Sequence, residues 1–365
     1  MISNICKIKT TNQSIWLDNI QRKELEDGTI QKYIDIDGIS GITSNPTIFN
    51  NSISKSNDYD KQIKELKNES PEFIYRRLSL DDIKKAAELF LPVFNSTNGR
   101  DGFVSIELNP FYSSDIQNSI EEGEEIFNSL NMPNVMIKVP ATAEGISITR
   151  ELISKGINVN VTLLFSPDYY QHAAAAYIDG LDKRRKENKD ISNIYSVTSF
   201  FVSRIDTEMD SIIDKIDDPL ASELKGRMAI DIAKVIFNIH KSMFSSTKFK
   251  MLVKYGANIQ RLLWASTGTK NPRYSDVKYI ESLMISDTIN TIPPKTLEFF
   301  NIFGEVKQVD DLSPISSLES LNKIRCFSVN TESIFNKLLS EGILSFQNSY
   351  VELIDSIIEK RKILT

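Results

Sequence analysis

The sequence predicts an α/β fold: a closed (β/α)8, or TIM, barrel with additional helices and a helical C-terminal extension. Three observations carry that expectation. Eight short apolar runs, most of them β-branched and flanked by turn residues, are spaced along the chain. Longer helical patterns fill the gaps between them, and no glycine-rich nucleotide loop follows the first run. An open, doubly wound sheet is the alternative, and the missing loop counts against it.

The strand candidates are residues 15–18, 41–45, 103–108, 135–139, 157–164, 195–201, 262–266 and 288–292. Between the second and third, Ser79-Leu-Asp-Asp82 resembles a capping box that would open a helix. Ile83, Ala86, Ala87, Phe90 and Phe94 would share one face of it, and Pro92 is expected to kink it. Ile116, Ile120, Gly123, Phe127 and Leu130 form a second apolar stripe. Residues 142–155 read as a third helix, closed by Gly156 in the position of a left-handed cap. Ser166-Pro167 carries the N-cap and proline-at-N1 signature of a fourth. Residues 206–244 are too long for one helix and read as two or three. Residues 308–365 hold two more helix patterns, around 331–340 and 346–362, and read as an extension packed on the barrel. With no long Pro/Gly linker and no repeat, residues 1–365 are expected to form one domain.

Composition narrows the chemistry. The chain has 365 residues, 41% hydrophobic and 25% charged, which excludes a disordered or collagen-like protein. A net charge of −6 argues against a nucleic-acid or anionic-lipid coat, so neither nucleic acid nor membrane is expected as a partner. No apolar core of a signal peptide opens the chain, and no run approaches the roughly 18 apolar residues of a membrane span. A soluble, cytoplasmic protein is the default expectation. The two histidines, His172 and His240, and the two cysteines, Cys6 and Cys326, leave no material for a His-rich or thiolate metal site. All four read as structural or surface residues without a role, and neither metal nor cofactor is expected. The run Asp182-Lys-Arg-Arg-Lys-Glu187 reads as a solvated helix end. An enzyme with this inventory must draw its acids, bases and nucleophiles mostly from Lys, Asp and Glu.

Alternate residues of a barrel strand face the interior, which turns the apolar pattern into a parity test. In Val135-Met-Ile-Lys-Val139 the apolar set is Val135, Ile137 and Val139, leaving Lys138 inside with Met136. The same test turns Ser105 and Glu107, Trp16 and Asp18, Thr43 and Asn45, and Asn158, Asn160 and Thr162 inward. Trp264 is likewise assigned to the interior as barrel filling. A lone inward lysine or carboxylate is ordinarily half of a structural ion pair. One amine, two carboxylates and several amides and hydroxyls converging from five consecutive strands is a different matter, because an interior Lys costs several kcal/mol unless it is paired or its pKa falls.

Such a set suits one chemistry. A lysine has an unperturbed pKa of about 10.4, so at neutral pH about one in a few thousand is the free amine. Apolar neighbours and desolvation raise that fraction and make the amine a nucleophile toward carbonyls. The resulting protonated Schiff base is an electron sink for a neighbouring carbanion. A carboxylate such as Asp18 or Glu107 can take the hydroxyl proton released as a carbon–carbon bond breaks. Class I aldol chemistry of this kind needs neither metal nor imidazole.

Longer motifs then point to a family. Ser14-Ile-Trp-Leu-Asp-Asn-Ile20, Gly41-Ile-Thr-Ser-Asn-Pro-Thr-Ile-Phe49, Val135-Met-Ile-Lys-Val-Pro-Ala-Thr142 and Gly156-Ile-Asn-Val-Asn-Val-Thr-Leu-Leu-Phe-Ser166 resemble the transaldolases, in their longer bacterial branch. So do Ser199-Phe-Phe-Val-Ser-Arg-Ile-Asp206 and Leu263-Trp-Ala-Ser-Thr-Gly-Thr-Lys-Asn-Pro272. The likeness runs from about residue 13 to 361. It implies a (β/α)8 barrel of the pentose phosphate pathway (the pentose shunt of carbohydrate metabolism) that moves a dihydroxyacetone unit from sedoheptulose 7-phosphate to glyceraldehyde 3-phosphate.

Carried over residue by residue, the resemblance makes Lys138 the Schiff-base lysine and Glu107 the acid/base carboxylate that works through a water. Thr162 would hold that water, and Asp18 would handle the substrate hydroxyl proton. Asn45 and Asn160 would bind the dihydroxyacetone hydroxyls, Ser199 and Phe201 would line the pocket, and Arg204 would fork onto phosphate. Two positions depart from the better-known branch. The second arginine after strand seven is absent, and Ser266 and Lys270 are what this chain offers there. Glu107 is followed by Leu-Asn-Pro, an unusual continuation. Sugar phosphates are the implied partners, and a homodimer is an assembly the resemblance allows. Two rivals stand beside this reading: a Schiff-base aldolase releasing free dihydroxyacetone, whose family carries Gln in place of Glu107, and a non-catalytic sugar-phosphate binder.

Overall fold

A computed structural model describes residues 3–364. Eight strands close into a parallel barrel in chain order: β1 (Ser14–Asp18), β2 (Gly41–Thr43), β3 (Phe103–Glu107), β4 (Val135–Pro140), β5 (Val159–Leu164), β6 (Ser196–Phe201), β7 (Arg261–Ala265) and β8 (Ile289–Ile292). All eight expected strands are present, each shifted by no more than two residues at either end. Every residue of β5 and β6 is buried, as parallel strands between a barrel interior and a helical coat must be. β8 pairs with β1 through Ser14↔Ile289 to Leu17↔Ile292, which completes the barrel.

The helices between the strands start where short polar side chains satisfy their first amides. Thr142 accepts from the amide of Gly145 at 2.9 Å, and Ser166 from that of Asp168 at 3.1 Å, as their sequences imply. Gly156, at φ +88°, closes the helix Ala143–Lys155. The long insertion resolves into Ser203–Ile213, Pro219–Ser222 and Met228–Phe244. The run 182–187 ends the helix Pro167–Lys186, with Asp182 paired to Arg185 and Lys186 at 2.9 and 2.7 Å.

Three expectations need correction. The helix expected to open at Ser79 runs from Pro71 to Ser96, through Pro92. Ser70 caps it, accepting from the amide of Phe73 at 3.2 Å, while the Ser79 hydroxyl bonds back to the carbonyl of Arg76. Ile74 and Leu78 are buried on the same helix, so the apolar stripe continues back past the apparent box. The two C-terminal patterns are a single helix, Thr331–Leu364, preceded by another at Pro314–Cys326. Its Gly342 crosses the barrel mouth so closely that a Cβ there would stand 2.9 Å from Leu163 and 3.5 Å from the Arg204 guanidinium.

Trp264 is the third. Its β6 neighbour in register is Phe200, against which its ring packs edge-on at 6.2 Å, while the adjacent Phe201 and Ala265 line the central cavity. Trp264 therefore faces the helical coat. Trp16 does lie inside, at the opposite end of the barrel from the site. There Asp101 accepts from the Trp16 indole at 2.9 Å and the Ser14 hydroxyl at 2.7 Å, and pairs with Arg261 at 3.2 Å. Among the described residues no helix is long and apolar enough to cross a membrane.

Candidate active site

The C-terminal ends of the strands surround a cavity of about 220 Å³, where barrel sites are built. Asp18, Asn45, Lys138, Thr162, Ser199, Phe201, Arg204, Ser266 and Lys270 all line it. Of the expected site residues only Glu107 and Asn160 do not, and both sit immediately beside Lys138. In register, Lys138 pairs with Glu107 of β3 on one side and Asn160 of β5 on the other.

Lys138 is 4% exposed. Its Nζ donates to the carbonyl of Ser44 at 2.8 Å and to Glu107 Oε2 at 3.3 Å. The surroundings of the amine are thus polar, as the inward set of Glu107, Asn160 and Thr162 in the sequence suggests. Burial pushes the Glu107 carboxyl up to about 7; the nearby Lys138 and Arg204 cations oppose the shift and Asp18 adds to it. The second oxygen, Oε1, is buried with no hydrogen-bond partner, as is the hydroxyl of Thr162. Asp18 is also raised by burial, against the pull of Lys138, a hydrogen bond from Thr43 and the charge of Lys270. Thr43 Oγ1 stands 2.7 Å from both Asp18 Oδ1 and Thr291 Oγ1. A carboxyl held near 7 beside the amine, with a second raised carboxyl across the cavity, suits proton exchange with a substrate.

The amides are less free. Asn160 donates to the Ser105 hydroxyl at 3.1 Å and accepts from Ser199 at 2.7 Å, which locks it beneath the cavity. Asn45 caps the helix Pro46–Lys55 through its carbonyl oxygen, at 3.0 Å from the amide of Ile48. Its amide nitrogen stays available to the cavity.

The opposite rim is cationic. Arg204 lies over the Phe201 ring at 5.6 Å, and burial lowers its guanidinium, with Glu107 and Glu341 opposing. Lys270 is exposed at the cavity edge, and Ser266 meets the Ser203 hydroxyl at 2.9 Å. Leu163 and Ser266 hold left-handed backbone, at φ +55° and +54°, at the ends of β5 and β7. Such conformations cost of the order of 1–3 kcal/mol and gather at functional sites. At Leu163 the strain coincides with a register shift against β6, next to Thr162.

Three contributors escaped the sequence. Thr43 has inward parity but no assigned role, and Thr291 would have emerged from the same test on β8. Phe346, from the C-terminal helix, also lines the cavity, and no local signal marks it. His172 is exposed, 3.9 Å from Asp168, and His240, on the helix Met228–Phe244, bonds the carbonyl of Gln260 just before β7. Cys6 and Cys326 are free thiols. Among the described residues no group of three or more His, Cys, Asp or Glu side chains is placed to hold a metal ion.

Comparison with known proteins agrees with this geometry. Residues 15–357 match the family model "Transaldolase/Fructose-6-phosphate aldolase". The chain is 39% identical to the transaldolase of Trichodesmium erythraeum, with 100% of both chains covered. It is 36% identical to the transaldolase of Mycolicibacterium smegmatis, over 97% of this chain and 96% of the relative. With transaldolase 2 of Nostoc punctiforme the identity is 39%, over 100% and 99%. The chain belongs to the transaldolase/fructose-6-phosphate aldolase family.

Proposed function

We infer that this chain is a transferase of the transaldolase type, moving a dihydroxyacetone unit between sugar phosphates through a Schiff base on Lys138. The donor is sedoheptulose 7-phosphate and the acceptor glyceraldehyde 3-phosphate, giving erythrose 4-phosphate and fructose 6-phosphate. The observation that carries the reading is the buried Lys138–Glu107 pair, 3.3 Å apart, beside a cavity that also holds Asp18.

Passage of the ammonium proton from Lys138 to Glu107 frees the amine, whose lone pair adds to the ketose carbonyl. The carbinolamine hydroxyl takes that proton back from Glu107 and leaves as water, and the iminium remains. Asp18 then accepts the proton of the hydroxyl next to the breaking carbon–carbon bond. The bonding pair moves into the iminium to give an enamine, and the aldose departs. The enamine carbon attacks the acceptor aldehyde, Asp18 returns its proton to the new hydroxyl, and water hydrolyses the iminium. Thr162 holds that water against Glu107. Asn45, Asn160 and Ser199 bind the dihydroxyacetone hydroxyls above the Phe201 wall, and Arg204, Ser266 and Lys270 take the phosphate.

The rival that releases free dihydroxyacetone shares the family, but the carboxylate at position 107 and the relatives named transaldolase both favour transfer. Incubation with fructose 6-phosphate, with and without erythrose 4-phosphate, separates the two. Turnover is expected only with the acceptor; free dihydroxyacetone at a comparable rate without it would contradict transfer. We further assign the chain to the cytoplasm, as one barrel domain over residues 1–365 with 308–365 as its helical extension. No cofactor, nucleic acid or membrane is assigned to it, and a homodimer is the assembly that sedimentation would test.

A further inference from the structure

Glu107 stands between the Lys138 amine and a second cavity. On one side is Lys138; on the other, a lateral cavity of about 440 Å³ lies between the helices Pro71–Ser96 and Ile116–Leu130. The lateral cavity has about twice the volume of the cavity at the barrel mouth, and of the proposed site residues only Glu107 lines it.

Its polar groups form a graded series. At the outer edge Arg76 pairs with the well-exposed Glu125 at 2.8 Å. Further in, half-buried Glu122 accepts from the amide of Asn109 at 2.8 Å, and burial raises its carboxyl. Deeper still is Tyr75, its ring fixed edge-on against Phe49 at 6.1 Å and Tyr350 at 5.4 Å. The Tyr75 hydroxyl lies beside Ser79, in the field of Tyr350, Glu107 and Glu122. Glu72 and Glu121 complete the charged lining. Innermost is Glu107, whose side chain is 8% exposed and whose Oε1 has no partner in the protein.

The chemistry supplies the need for such a passage. Each Schiff base formed expels one water, and each one hydrolysed consumes one. Both events occur while a sugar phosphate fills the barrel mouth. We propose that the lateral cavity is the route by which water and protons reach Glu107 during turnover, with the Tyr75 hydroxyl as the relay between that carboxylate and solvent. This rests on the reading of Glu107 as the acid/base of a Schiff-base mechanism.

Tyr75→Phe keeps the ring and both ring contacts and removes only the hydroxyl. Its kcat is expected to fall about tenfold, less than the roughly 10²–10⁴-fold of a lost acid–base group, because Glu107 itself remains. KM for fructose 6-phosphate should stay within about twofold, and the solvent deuterium isotope effect on kcat should rise because proton exchange becomes limiting. A purely structural loss would not move the isotope effect. Leu80→Trp, which fills the cavity from a half-buried position without touching Lys138, should act in the same direction. Wild-type kcat and isotope effect in both variants, with melting temperatures showing them folded, would overturn the route alone. Failure of the wild type to form a borohydride-reducible adduct with fructose 6-phosphate would overturn the Schiff-base reading, and the route with it.

Discussion

Replacing Glu107 by Gln tests whether burial or pairing governs the carboxyl beside the amine. The folded protein holds this carboxyl near pH 7, from an ordinary value of 4.5. The unfolded chain therefore releases the proton near 4.5, while the native state keeps it to about 7. Between those limits the native state binds more protons, so stability falls as pH rises. The contribution is fully present below pH 4.5 and lost by the time pH has passed 7. At 1.36 kcal/mol per pH unit, holding the proton from 4.5 to about 7 amounts to about 3 kcal/mol. The side chain is 8% exposed, so solvent screening takes little of that away.

Glu107→Gln cannot titrate at this position, whereas Asp18 titrates in both proteins, so most of its contribution drops out of the comparison. Urea denaturation of the two proteins at pH 4.5, 5.5, 6.5 and 7.5 gives the difference directly. The wild type should lose about 3 kcal/mol relative to the variant across that range. A difference that stays flat would mean the carboxyl ionises as in water. A difference of opposite sign would mean that the Lys138 ion pair outweighs desolvation, and either result would refute the argument.

Other consequences follow from the same geometry. Arg204→Ala should raise KM for sugar phosphates about ten- to a hundredfold, because hydrogen bonds to a charged group contribute about 1.5–3 kcal/mol; kcat should change far less in steady-state assays. Thr43→Val strips Asp18 of its hydroxyl donor and leaves Thr291 without its partner. A stability loss of about 1–3 kcal/mol on chemical denaturation, with a lower kcat, is expected. Gly342→Leu forces a side chain against Leu163 and the Arg204 guanidinium. It should cost about 1–3 kcal/mol and raise KM for phosphorylated substrates more than it lowers kcat.

Much of the barrel was legible because each strand had to be apolar on at least one face, and the site because polar residues broke the pattern at a fixed parity. Lys138, Glu107, Asp18 and Thr162 were all found by that alternation alone. The test failed at β7, where Leu262 and Trp264 on one face and Leu263 and Ala265 on the other are all buried. Both frames are apolar there, so Trp264 could be assigned to either side. Ser79 misled because a capping signature is local, whereas the stripe through Ile74 and Leu78 shows that the helix starts earlier. The gap between the two C-terminal patterns holds Gly342, the point where one continuous helix passes over Leu163 without room for a side chain. Phe346 reaches the cavity only through the docking of that helix, which depends on contacts far apart in sequence, such as Thr47 with Ser349 at 2.8 Å. Only the Ser44 carbonyl that accepts from the Lys138 amine was hidden, since it belongs to backbone after β2.

The central claim is that Lys138 carries the substrate covalently. Treating the protein with fructose 6-phosphate and sodium borohydride, then mapping the mass increase by peptide sequencing, addresses it most directly. A reduced dihydroxyacetone adduct on Lys138 is the predicted result, absent from Lys138→Ala. An adduct on another lysine, or none in a folded and substrate-saturated protein, would contradict it.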